Sequence, residues 1–534
     1  MPSQSVSCAT RLYCPLDAVL LILFLFPFLF LSHEGDAATV TWDGGSGGGG
    51  TGWSQASNWD SNKVPGPTDV ADFTLAGSSP IIGINYAGTT NNGAYNQAVG
   101  AIELLSGRAR TIGNSSSNAA TLTLNGATLN GVANIILRNG SASNLTLQND
   151  VNKGTGVMDI ALGNSTDNIV AVDSTGSSNI SSVIKDGAGT HLSLAATSSG
   201  ALVLSGNNTY TGGTTLGVTN TGTLRMLDTG TLGASSGALT IENGTLDLNG
   251  TSQNVGALRS TNANANGVIK NSSGTSSTLT VGNGDASGSF SGRITNVGNI
   301  ALTKTGTGTQ TLTNTNSYTG QTVGAGGTLQ LANPNGVALS GTSSIVVNNG
   351  GTLLMGANNQ VNRAVFPPIA LGSTTGSGAA KLDAGGFSQG TGGTPIIPNS
   401  GSVGLGALTL NAGAIVDLTG TSVLHFANSS SSTWSGRLSI YDWTGTPVTG
   451  GGAEQILFGG DITGLNASQL SQISFYSDNG MTLLSDSALI LADGEIIPGL
   501  TSVPEAETAV AAVLALGMIV ILQRQRLRAQ LARF

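Results

Sequence analysis

The chain has 534 residues, of which 80 are glycine, while only 9% are charged and 4% aromatic. Ordinary globular domains carry about 25% charged residues, so the composition argues against a bulky core closed around a polar cleft. Aliphatic residues recurring at spacing two argue equally against disorder. A formal net charge of −9 makes nucleic acid a poor partner, because like charge repels a phosphate backbone.

The first element in chain order is an apolar run of 14 residues, Ala18 to Leu31, preceded by a single positive residue, Arg11. A membrane-spanning helix needs about 20 residues, so the run suits the core of a cleavable signal peptide better than a retained anchor. Gly35 and Ala37 supply small side chains at −3 and −1 of a cut after Ala37, which makes residues 1–37 a leader for the export machinery. Cys8 and Cys14 both fall inside it. The mature chain then has no disulfide, thiolate metal site or cysteine nucleophile.

Residues 38–100 form a glycine- and tryptophan-rich segment holding Trp42, Trp53 and Trp59. An open solenoid end exposes strand edges and core, and bulky aromatics close it, so this segment reads as an N-terminal cap. Stacking of the tryptophans on a carbohydrate is the alternative reading.

From 101 to 430 one phrase returns: Thr121-Leu122-Thr123-Leu124, Leu145-Thr146-Leu147, Gly244-Thr245-Leu246-Asp247-Leu248, Leu279-Thr280-Val281 and Leu408-Thr409-Leu410. The period of two predicts short strands with Leu, Ile and Val inward and Thr, Asn and Asp outward. A longer unit also recurs. Leu202 to Thr215, LVLSGNNTYTGGTT, answers LTNTNSYTGQT in the stretch Ala301 to Leu331, and Tyr210 and Tyr318 stand 108 residues apart. Units that bury an apolar face only against their neighbours stack. With no segment of helical period to supply crossovers, the prediction is an all-β chain folded as a parallel β-helix. Coils of roughly 22 residues spaced about 4.8 Å apart would stack into a rod about 85 Å long.

The Leu-rich strand followed by Asn-x-Tyr-Thr-Gly and Gly-Thr-Leu resembles the autotransporter-associated β-strand repeat of bacterial surface proteins. The resemblance covers Leu202 to Leu224 and Leu302 to Leu331, with Gln321 in place of the second glycine of the core. It implies a surface-associated solenoid with a structural, adhesive or matrix-scaffolding role. The segment after Asp417 is too short for the many alternating strands of an outer-membrane barrel.

Val365 to Pro398, with Pro367-Pro368 and a glycine cluster, is expected to be a loop, since proline cannot donate to a ladder. Residues 431–500 hold Trp434 and Trp443 and read as a C-terminal cap, with a short helix carrying Leu470 and Ile473 after Asn466 as N-cap. Residues 501–534 begin with Pro504 and Glu505, continue into the uncharged run Thr508 to Leu522, and end in a cluster at Arg524, Arg526 and Arg528. Cations stay on the cytoplasmic side, so such a helix enters the membrane from outside. The order resembles a PEP-CTERM sorting signal, with Ala506 where the motif has its second proline. That resemblance implies recognition by an exosortase and a membrane helix that is transient; a plain tail anchor is the alternative.

No motif marks a metal, cofactor or nucleophile site. His191 and His425 are isolated in sequence. Because parallel β-helices also carry polysaccharide lyases and hydrolases, Asp159, Asp167 and Asp173 are the acids an enzyme would gather, and extracellular polysaccharide is the ligand class of that reading and of a carbohydrate-binding one.

Overall fold

The computed structural model describes residues 37–44, 51–74, 81–84, 96–105, 108–115, 118–150, 156–173, 175–196, 200–217, 222–295, 297–362, 366–390 and 404–499. They belong to one compact unit that begins at Asp36. Nearly all regular structure in them is β strand, interrupted by one four-residue α-helix, Ala467–Leu470, and three single-turn 3-10 helices.

Alternation makes these strands. In Ala120–Leu124, Ala120, Leu122 and Leu124 are buried while the two threonines between them are half-buried. The same pattern governs Ser277–Val281, Ile300–Lys304 and Gly351–Met355. Each strand then lies parallel and in register on one from the next coil. Leu202, Leu224, Leu246, Ile269 and Ile294 form a single inward column, every member at most 1% exposed. Burying each such side chain stabilises the stack by about 1.5–3 kcal/mol.

Coil length follows from the ladder. Arg225 reaches Asp247 22 residues on, Thr311 reaches Gln330 19 residues on, and Gln360 reaches Gln389 29 residues on. The expected 22 holds for the coils from Leu202 to Leu246, and coils lengthen where corners carry loops. A ten-stranded, a nine-stranded and a four-stranded sheet build the first half. A seven-stranded sheet from Gln253–Asn254 to Leu408–Leu410 and a second nine-stranded sheet from Gly288–Phe290 to Thr482–Ser485 build the second. The sheets overlap along the chain, and one apolar cluster runs from Val40 to Ile497. This is the arrangement of a parallel β-helix.

The antiparallel strand pairs among the described residues are local. Ala127–Leu129 folds back on Val132–Asn139, Thr482–Ser485 on Ile473–Ser477, and Ile496–Pro498 on Ala488–Ile490. Next to the terminal strand Thr39–Thr41, Trp42, Trp53, Trp59 and Phe73 pack as one aromatic group, with Trp42 and Trp59 edge to face at 4.9 Å.

Three expectations need correction. Val365 to Pro398 is not simply a loop: Ile369–Leu371 and Ala380–Asp383 are strands paired on both sides, because Pro367-Pro368 ends before the ladder resumes and blocks none of its donors. The short helix stops at Leu470 and Ile473 opens a strand, its inward side chain joining the column of Leu438. Asn and Thr are not uniformly outward, since Asn208 and Asn316 are buried where one sheet gives way to the next, and Thr214 and Thr322 hold inward strand positions in register with Leu239 and Ile345. The leader up to residue 36 and the segment from residue 500 onward, including the two terminal apolar helices expected there, lie outside the described residues. Among the described residues no helix is long and apolar enough to cross a membrane, which bears on helices only and not on membrane barrels.

Candidate functional site: the asparagine and tyrosine corners

At a corner the chain leaves one sheet for the next, and its backbone groups there lack ladder partners. Buried amides supply them. Asn208 Oδ1 accepts from the Ile184 N–H of the preceding coil at 2.9 Å, and its Nδ2 donates to the Thr231 carbonyl of the following coil at 2.8 Å. Asn316 repeats this, accepting from Ile294 N–H at 3.0 Å and donating to the Ala338 carbonyl at 3.2 Å. One side chain thereby joins three coils. Asn114, Asn139 and Asn271 obey a related rule, each donating to the carbonyl four residues on and to one in the next coil. Gln310, Gln360 and Gln389 instead reach back to earlier coils, donating to the carbonyls of Leu258, Asn333 and Ala357.

Two residues after Asn208 and Asn316 stand Tyr210 and Tyr318, both fully buried. Their hydroxyls share hydrogen bonds with Thr214 at 2.7 Å and Thr322 at 2.6 Å. Burial pushes both phenols far above their usual range. Gly212 and Gly320 come next but one. A Cβ on Gly212 would lie 2.4 Å from Thr190 Oγ1, and one on Gly320 2.3 Å from the Ile300 carbonyl, so close stacking of coils requires glycine at both. The adjoining position differs for a local reason. Gly213 is left-handed at φ 93, whereas Gln321 in the second copy lies outside that region and donates from Nε2 to Ser344 Oγ at 3.0 Å.

Outside the corners, charged ladders cross coils. Arg138 bridges Glu103 at 3.0 Å and Asp173 at 2.9 Å. Lys381 holds Asp383 and Asp417 at 2.9 and 2.6 Å. Asp247 accepts from Arg225, from the Ser272 hydroxyl and from the Ser272 N–H. Burial pushes the Asp247 carboxyl up, but these hydrogen bonds outweigh it and leave it below the usual range. Lys304 Nζ is enclosed by the carbonyls of Thr305, Gly306 and Gly326, and desolvation lowers its pKa.

The residues an enzyme would gather are not brought together. Asp159 pairs with Lys185 at 2.7 Å, Asp167 accepts from Ser193 Oγ at 2.9 Å, and Asp173 pairs with Arg138. His191 bonds Gly212 and Thr215, and His425 bonds the Gly459 carbonyl. Among the described residues no group of three or more His, Cys, Asp or Glu is placed to hold a metal ion. All five tryptophans are at most 8% exposed, so none offers an open stacking face. Of the targeting residues, Ala37 is half-buried with its N–H directed at the Thr128 carbonyl at 3.4 Å. Gly35, Pro504, Glu505, Arg524, Arg526 and Arg528 lie outside the described residues. The buried corner amides were missed in the sequence, although the Asn-x-Tyr spacing shared by the two repeats was a signal for them.

A parallel solenoid stapled by buried amides defines the chain as a stacked-repeat protein. Residues 194–225 and 302–331 match the family described as passenger-associated-transport-repeat, and each match spans one Asn-Tyr corner. The chain thus carries autotransporter-associated repeats. Over 267 residues it is 30% identical to the adhesin BmaC autotransporter of Brucella suis biovar 1 (strain 1330). That similarity covers 48% of this chain and 7% of the adhesin. No solved structure matches the chain significantly.

Proposed function

We propose that the chain is an exported protein of the cell surface or extracellular matrix whose solenoid is structural or adhesive rather than catalytic. The observation that carries this reading is that the two matched repeats build equivalent corners of one parallel stack. Similarity to an autotransporter adhesin over nearly half of the chain supports it. Stacked repeats present a long, rigid surface from few large side chains, which suits a scaffold.

Within this reading residues 1–37 direct export and 38–100 close the N-terminal end through the Trp42, Trp53, Trp59 and Phe73 group. Residues 101–430 form the repeat solenoid, and 431–500 close the other end. Residues 501–534 anchor the chain through Thr508 to Leu522 until an exosortase acts near Pro504 and Glu505. Intact masses and terminal peptides from each cell fraction test the targeting. A chain beginning at Ala38 and lacking the segment after Thr508 supports two-ended processing, whereas one retaining its arginine tail in the membrane fraction makes it a permanent anchor. Protease treatment of intact cells tests the location, and full protection of the solenoid overturns the surface reading. Surface attachment of cells with and without the gene tests adhesion.

A further inference from the structure

The strand Thr482–Ser485 ends its nine-stranded sheet, and among the described residues no strand pairs with its other edge. It carries no proline and no charge to blunt that edge. Its apolar side chains face outward instead: Met481 just before it is 88% exposed, Leu483 54% and Leu484 37%. Leu489 on the next strand is 47% exposed. Exposed apolar groups collected in one place mark an interaction surface.

The chain leaves the solenoid at the same place. Ser485 Oγ, on the exposed strand, donates to the Gly499 carbonyl at 2.9 Å, and Gly499 N–H donates to the Ser487 carbonyl at 2.8 Å. The uncharged run Thr508 to Leu522 begins nine residues further on, a tether of at most about 30 Å when fully extended. If that run enters a bilayer, the edge at Leu483 is held within reach of the lipid surface.

We propose that this edge, formed by Met481, Leu483 and Leu484, beds into the interface of a lipid bilayer and orients the solenoid on it. The inference rests on the anchoring role proposed for Thr508–Leu522. Asp478 and Asp486 flank the edge, so a zwitterionic surface fits it and an anionic one repels it.

The test uses the mature chain from Ala38 onward, which has no cysteine and keeps Thr508 to Leu522, reconstituted in phosphatidylcholine vesicles, with one environment-sensitive fluorophore on Leu483→Cys or, as control, on Val297→Cys. Val297 is equally open, at 50%, but lies many coils away. The expected result is that the protein floats with the vesicles and that lipid-borne nitroxide quenches the label at 483 several-fold more than the label at 297. Flotation with equal quenching at both positions overturns the proposal and leaves the anchor standing. A blue-shifted but unquenched label at 483 assigns the edge to a second copy or to the chain's own apolar run, and also overturns it. Failure to float overturns the anchor itself.

Discussion

Tyr318 Oη lies 2.6 Å from Thr322 Oγ1, and Thr322 Oγ1 lies 2.9 Å from Thr342 Oγ1 on the next coil, all three side chains being buried. The hydroxyl chain ties the tyrosine of the repeat to the coil stacked after it. Replacing Tyr318 with Phe keeps the ring and leaves Thr322 with Thr342, so it should cost about 1 kcal/mol. Tyr318→Ala opens a cavity as well and should cost about 3–5 kcal/mol. Urea unfolding monitored by far-ultraviolet circular dichroism checks the ranking, and equal midpoints for the two variants would contradict it.

Asn316 satisfies groups on two neighbouring coils. Asn316→Ala orphans the Ile294 N–H and weakens the hold on the Ala338 carbonyl, each unsatisfied buried group costing about 1–3 kcal/mol. Hydrogen exchange should accelerate first at Ile294 and its neighbours, since a stack loosens where its coils are joined. Uniform acceleration along the whole chain would argue against a local staple.

Glycine at the corner is a steric requirement rather than a matter of composition. Gly320→Ala drives a Cβ to 2.3 Å from the Ile300 carbonyl, while Gly274→Ala meets nothing within 4 Å. The first should destabilise by about 1–3 kcal/mol and the second by under about 0.5 kcal/mol. Thermal midpoints of the two purified variants check this.

Acid should weaken the stack through Asp247 and Asp417. Burial pushes both carboxyls up, but the hydrogen bonds they accept and the cations beside them, Arg225 and Lys381, outweigh it and leave both below the usual range. A depressed folded-state pKa stabilises above the unfolded value, about 3.9, and that stability is lost as pH falls from there through the folded value. Asp247→Asn should therefore flatten the stability profile below about pH 4. A profile parallel to that of the unmodified chain would remove Asp247 from the account.

Much of the fold was legible in the chain. Leu122, Leu124, Leu246 and Leu279 are inward because a period of two offers one face to the core, and coils near 22 residues reflect the recurrence of that phrase. The polar corners were not legible. Asn208 and Asn316 read as outward by residue type, yet they are buried. The deciding quantity is the hydrogen-bond deficit of backbone groups where one sheet gives way to the next, and that deficit exists only once three coils are stacked. Asp159, Asp167 and Asp173 illustrate the same gap, since register, which strand composition does not encode, sends each to a different partner.

By itself, then, the sequence determined the strand period, the all-β class and the repeated unit, because alternation and low charge permit little besides stacking. Only the tertiary structure decided that Asn and Tyr of that unit are interior staples, that the tryptophans are enclosed, and that Leu483 stands open at the end of its sheet. Those outcomes depend on which groups the neighbouring coils leave unsatisfied or uncovered, a property of the assembled stack and not of any one segment.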